Sequence, residues 1–184
     1  MPASCAQTLL SLSPNIIQFV NFNLNQGQSG MPLKPGDKAP NFQLATDGGG
    51  HVSLSELKGQ PFVLYFYPRD DTPGCTNEAI GFSQSLPKFE RANVAIVGVS
   101  KDSAASHDKF KLKHKLKFLL GSDPETTVAR AYGVWVEKSM YGRKYMGMDR
   151  ATFLVDGKGV IREIWRKVKV PGHVDAVLAA AKTL

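Results

Sequence analysis

Apolar positions change their period along this chain, and each change marks an element. Phe42 and Leu44 alternate with polar residues, and Val52 and Leu54 do so again after Asp47-Gly48-Gly49-Gly50. Alternation on both sides of a glycine-rich turn predicts a β-hairpin. Ser53, followed three residues later by Glu56, fits a capping box for one short helical turn. Phe62 to Tyr67 is the longest apolar run and predicts a central strand covered on both faces. Pro68 ends it. After Arg69-Asp70-Asp71, the pair Thr72-Pro73 reads as an N-cap and a first helical position. Ala79, Phe82, Leu86 and Phe89 then recur at helical spacing. Cys75 therefore falls in the first turn of a helix that directly follows a buried strand.

Val94 to Val99 predicts a second buried strand, and Ser103 to Lys117 a lysine-rich helix. Phe118 to Leu120 reads as a short strand and Asp123 to Tyr132 as a short helix. Ala151 to Val155 and Val160 to Trp165 are strands joined by Asp156-Gly157-Lys158-Gly159, a hairpin turn. Val174, Val177, Leu178 and Ala181 form the apolar stripe of a closing helix. The pattern alone predicts a mixed α/β domain. An early βαβ followed by an antiparallel ββα is also the plan of a thioredoxin-like sandwich. That fold is a central mixed β-sheet flanked by helices, here with an N-terminal β-hairpin.

Composition narrows the class. The chain has 184 residues, 42% hydrophobic and 21% charged, which suits one domain with an ample core. No apolar run approaches the ~18–20 residues needed to span a membrane. The net charge of +7 raises nucleic acid or an acidic partner as questions. Between Lys101 and Lys117, six lysines face only Asp102 and Asp108. We read that run as a solvated helix face and expect no specific nucleic acid. Residues 1–30 contain no Asp, Glu, Lys, Arg or His. They lack the basic region of a signal peptide and read as a leader outside a domain spanning residues 31–184. Cys5 and Cys75 are the only cysteines, which points to a reducing, cytoplasmic setting rather than a disulfide framework.

Cys75 carries the chemistry. Free N–H groups and the helix dipole at a helix start favour a thiolate. Gly74 beside it lets a substrate approach the backbone. Asp70 and Asp71 act the other way, so a cation is needed to offset them. The plain alternative is a buried, inert thiol. His51, His107, His114 and His173 lack metal-ligand spacing and read as structural or surface residues. No GxGxxG or P-loop is present, and no cofactor is implied.

Pro68-Arg69-Asp70-Asp71-Thr72-Pro73-Gly74-Cys75 resembles the PxxxTxxC signature of the peroxiredoxins. The longer stretch from Tyr65 to Thr76 is similar to their bacterioferritin comigratory protein branch, PrxQ. Gly98-Val99-Ser100, Ser106-His107, Tyr132-Gly133-Val134-Trp135, Arg150 to Asp156 and Trp165 to Val170 match in order. The resemblance covers residues 33–184. It implies a thiol peroxidase in which Cys75 attacks hydrogen peroxide or an organic hydroperoxide and becomes a sulfenic acid. It also implies that the Thr72 hydroxyl, the Gly74 and Cys75 backbone N–H groups and Arg150 stabilise the departing oxygen. Glu78 would orient Arg150, Pro68 would shield the cysteine, and Arg150 would be the cation that offsets Asp70 and Asp71.

One departure from the branch matters. Its usual resolving cysteine, five residues after the first, is here Ile80. The implied cycle is a one-cysteine mechanism, with an external thiol from glutaredoxin, glutathione or thioredoxin. Cys5 resolves Cys75 only if the leader folds back. The resemblance implies a monomer or weak dimer. Other readings are a thioredoxin-type oxidoreductase, which lacks its second cysteine, a cysteine hydrolase, and a non-enzymatic basic binder or holdase.

Overall fold

The computed structural model describes residues 32–140 and 142–184. Cys5, the leader and its expected boundary at Met31 lie outside the described residues. The chain runs β1 (Gln43–Thr46), β2 (His51–Ser53), β3 (Phe62–Phe66), α1 (Pro73–Arg91), β4 (Ala95–Ser100), α2 (Ala104–His114), β5 (Leu119–Ser122) and α3 (Thr127–Ala131). It continues through β6 (Trp135–Met140), β7 (Arg143–Met148), β8 (Ala151–Val155), β9 (Ile161–Arg166) and α4 (His173–Ala181). Seven strands form one mixed sheet in the order β2-β1-β5-β4-β3-β8-β9. β3 pairs parallel to β4, as a βαβ unit requires, and antiparallel to β8. No helix among the described residues is long and apolar enough to cross a membrane.

The uniform apolar run of β3 is explained by its central place. All five of its residues are buried. Alternation sends Phe62, Leu64 and Phe66 into one core, with Tyr132, Phe153 and Ile161. Val63 and Tyr65, followed by Tyr67, enter the other, with Cys75, Phe82 and Phe89 of α1. The sheet thus has an apolar layer on each face, and the C-terminal end of β3 delivers the chain to α1.

Several expected boundaries move, each for a local reason. α2 stops at His114 because Lys115 takes a left-handed conformation, φ 54°, and Leu116 and Phe118 turn inward beyond it. α3 begins at Thr127, not Asp123. The Asp123 carboxylate instead accepts the N–H groups of Val128 and Ala129 at 3.3 and 2.8 Å, capping the helix from outside. Ser53 Oγ accepts the Glu56 N–H at 3.3 Å as expected and its hydroxyl donates to the Glu56 carboxylate at 2.9 Å, but residues 54–59 make turns rather than a helix. The β6–β7 ribbon has no counterpart in the sequence reading. It pairs only with itself and leaves Met140, Tyr145 and Met146 exposed. Solvent on both faces removes the alternation by which a strand is recognised.

Candidate active site at the start of helix α1

The site is built where β3 stops. Pro68 is half-buried, and Asp71 turns the chain with a left-handed backbone, φ 56°. Thr72 follows in extended conformation and Pro73 opens α1. Proline suits that place, because its missing N–H would have had no helical partner. The first helical bond joins the Thr76 N–H to the Thr72 carbonyl at 2.8 Å. The N–H groups of Gly74 and Cys75 precede it, and so remain free to meet a developing negative charge.

Cys75 is a free thiol, 2% exposed. Of the described side chains, only that of Arg150 hydrogen-bonds its sulfur, Nη2 donating to Sγ at 3.2 Å. Arg150 stands between β7 and β8, 75 positions along the chain. Its Nη1 donates to Oε2 of Glu78, which lies one helical turn after Cys75 and is fully buried. Gly74 makes room for this contact, since a Cβ there would come within 3.3 Å of Nη2.

The ion pair has one loose end. Oε1 of Glu78 is buried with no hydrogen-bond partner among the described residues. Burial pushes the Glu78 carboxyl up to about 7, with Arg150 pulling the other way. Burial acts against the Arg150 charge too, yet Glu78 and the sulfur hold the guanidinium above its ordinary value. Arginine does not lose its proton in proteins, so Glu78 is the partner that titrates.

One expectation changes. Thr72 occupies the N-cap position, but its side chain caps nothing: its hydroxyl donates to the Arg69 carbonyl at 3.2 Å. Arg150 stands at the sulfur, and the two aspartates have partners of their own on α2. Asp70 faces His107, with Nδ1 2.9 Å from Oδ2, and Asp71 pairs with Lys113 and His114 at 2.5 and 2.8 Å. His107 was legible only as part of a motif match. The 37 positions between it and Asp70 leave no local signal of their pairing. The open groove lined by Val136, Lys138, Tyr145, Asp149 and Lys167 does not include Cys75.

The AhpC/TSA family profile matches residues 35–164. This chain belongs to the AhpC/TSA family. A peroxiredoxin Bcp of Bacillus subtilis is 47% identical over 154 residues, covering 84% of this chain and 98% of its own. The bacterioferritin comigratory protein of Xanthomonas campestris, solved in complexes bearing on its alkyl peroxide reduction activity, is 46% identical. It superposes with a TM-score of 0.75 over 77% of this chain and 90% of that one. A PrxQ variant from Xylella fastidiosa gives 0.79 at 40% identity, over 84% and 98%. Within the family the chain is a peroxiredoxin of the Bcp/PrxQ branch, a thiol-dependent peroxidase. Its fold is the thioredoxin-like sandwich.

Proposed function

We propose that Cys75 is the peroxidatic cysteine and that this chain reduces hydrogen peroxide and organic hydroperoxides by a one-cysteine cycle. The observation that carries the reading is the Arg150 guanidinium held between the Cys75 sulfur and the Glu78 carboxylate. A permanent cation beside the sulfur supports the negative charge needed for attack. The thiolate attacks one peroxide oxygen, a sulfur–oxygen bond forms and the oxygen–oxygen bond breaks. The sulfur is oxidised to sulfenic acid, and the departing oxygen takes a proton to leave as water or alcohol. Arg150 and the free N–H groups of Gly74 and Cys75 surround the place where that charge develops. Thr72 contributes once its hydroxyl turns from the Arg69 carbonyl toward the sulfur. Glu78 aims the guanidinium, and Pro68 shields the reacting atom.

The second half of the cycle needs an outside thiol. Residues 32–184 contain no cysteine besides Cys75, and Ile80 fills the position of the usual resolver. A small thiol or a glutaredoxin- or thioredoxin-like protein attacks the sulfenic sulfur and releases water, and a second thiol then restores Cys75.

The test is to oxidise the reduced full chain with one equivalent of hydrogen peroxide, trap with dimedone and weigh the intact protein. The expected result is one adduct, lost in Cys75→Ser and kept in Cys5→Ser. A loss of two hydrogens that Cys5→Ser abolishes would instead make Cys5 the resolver. No fast reaction at all would overturn the assignment of Cys75.

A further inference from the structure

Three residues before Cys75's helix begins, a second buried charge cluster grips the chain. The Asp70 carboxylate receives the Tyr67 hydroxyl at Oδ1, 2.8 Å, and the Ser106 hydroxyl at Oδ2, 2.8 Å. His107 Nδ1 donates to both oxygens, at 2.9 and 3.2 Å. The other ring nitrogen, Nε2, faces the Gly121 carbonyl at 3.2 Å. Both nitrogens of His107 thus face acceptors, and the ring spans from the loop to β5. The Asp70 N–H is taken as well, by Asp102 Oδ2 at 2.8 Å, and the Ser100 hydroxyl braces that carboxylate at 2.7 Å. The His107 side chain is 0% exposed and that of Asp70 5%.

A buried polar cluster of this kind adds little stability over apolar packing of the same shape. What it supplies is a single fixed arrangement of the groups it joins. Here it joins the end of β4, α2 and β5 to the loop that carries Thr72. The next residue, Asp71, has a left-handed backbone, φ 56°, which residues with side chains rarely adopt. Lys113 and His114, also from α2 in the same stretch, bind its carboxylate. The loop is therefore held on one side by α2, while Arg150 meets the sulfur from the β7–β8 connection on the other.

We propose that Asp70 and His107 are positioning residues for the Cys75 reaction: their pairing fixes the 69–72 loop and so sets the start of α1 against Arg150. This rests on the assignment of Cys75 as the nucleophile. A slip of about 1 Å at a reacting group is enough to slow a reaction about a hundredfold.

The test is stopped-flow oxidation of the reduced full chain by hydrogen peroxide at one pH, with thermal unfolding of every variant. The variants are Asp70→Asn, His107→Leu, His107→Asn and the double Asp70→Asn/His107→Leu. The second-order rate constant is expected to fall about tenfold to a hundredfold in Asp70→Asn and in His107→Leu. The double variant should fall no further than the worse single one, because both break one unit. His107→Asn, which keeps a donor near Nδ1, should recover part of the loss. Removing a negative charge from this loop would by itself favour a thiolate, so slowing separates positioning from a simple charge effect. A folded Asp70→Asn that reacts as fast as the parent, or faster, overturns the proposal. So does a His107→Asn no faster than His107→Leu. If the His107 variants do not fold, Ser106→Ala and Asp71→Asn carry the test. Slowing of about threefold is expected there, and unchanged rates in both overturn the proposal. A parent chain that forms no dimedone adduct at Cys75 overturns the nucleophile assignment instead, a result visible before any variant is made.

Discussion

Two buried carboxylates, Asp70 and Glu78, lie eight positions apart on either side of Cys75, and their surroundings drive them in opposite directions. Asp70 collects donors from Tyr67, Ser106 and His107, and these hold its carboxyl below the usual range although burial pushes it up. Glu78 has Arg150 alone, one of its oxygens has no partner among the described residues, and burial carries it up to about 7. Glu78 is the deeper of the two and has the fewer donors to set against its burial. The contrast has a functional sense. A carboxylate that builds the scaffold is fully satisfied, whereas the one sharing its guanidinium with the sulfur is left short. A guanidinium committed wholly to its carboxylate would have less to offer a departing oxygen.

The largest effect is expected where the short-changed pair is broken. Arg150→Met removes the one side chain among the described residues that donates to the sulfur and strands Glu78 in the core. The peroxide step should slow about a hundredfold to a thousandfold. Folding stability in urea should drop by about 3–5 kcal/mol at pH 8, as when one partner of a buried pair is removed. The drop should be smaller at pH 5, where a stranded Glu78 holds its proton. An equal loss at both pH values would mean that Glu78 is not buried as a charge.

Next comes the direct comparison of the two carboxylates. Asp70→Asn breaks a satisfied cluster and should cost about 3 kcal/mol. Glu78→Gln replaces a carboxyl that is already near neutral and should cost about 1 kcal/mol, while slowing the peroxide step through a misaimed Arg150. If Glu78→Gln proves the more destabilising of the two in urea at pH 7, the idea that donor number separates them fails.

The two clusters also differ in how far they could be read ahead of the structure. The corner itself was legible, because Phe62 to Tyr67, Pro68 and Thr72-Pro73 are local signals that end a strand and begin a helix. Arg150 was not legible from spacing, since 75 positions separate it from Cys75; only the family resemblance singled it out. The partners that Asp70 and Asp71 find on α2 were not legible either. The reason is topological. β5 lies beside β4, and the α2 that leads into it packs over β5 and β1 with Ser106, His107, Lys113 and His114 reaching the loop that follows β3. No periodicity encodes which loop a helix face will meet. The β6–β7 ribbon escaped for the opposite reason: beyond Trp135 and Met148 at its base, it buries too little to give it a period.

The smallest effect separates Glu78 from its neighbour His173. His173 opens α4, and its Nε2 pairs with the Thr152 hydroxyl at 2.8 Å beneath Trp165 and Phe82. Burial, with the charge of Arg150 acting in the same sense, lowers it from 6.5 to about 4. The folded chain therefore resists protonating His173, so stability from this group is lost as pH falls from 6.5 toward 4. Glu78 has the reverse sign. Its folded value of about 7 lies above the ordinary 4.5, so the folded chain takes the proton more readily and stability is gained as pH falls through that window. Between pH 4.5 and 6.5 the two slopes oppose each other. Asp70, lowered rather than raised, contributes below that range. Urea unfolding at several pH values should then show His173→Gln gaining stability relative to the parent on acidification, Glu78→Gln losing it, and the double variant tracking the parent. Parallel curves for His173→Gln and the parent would mean that His173 is protonated as easily in the fold as out of it.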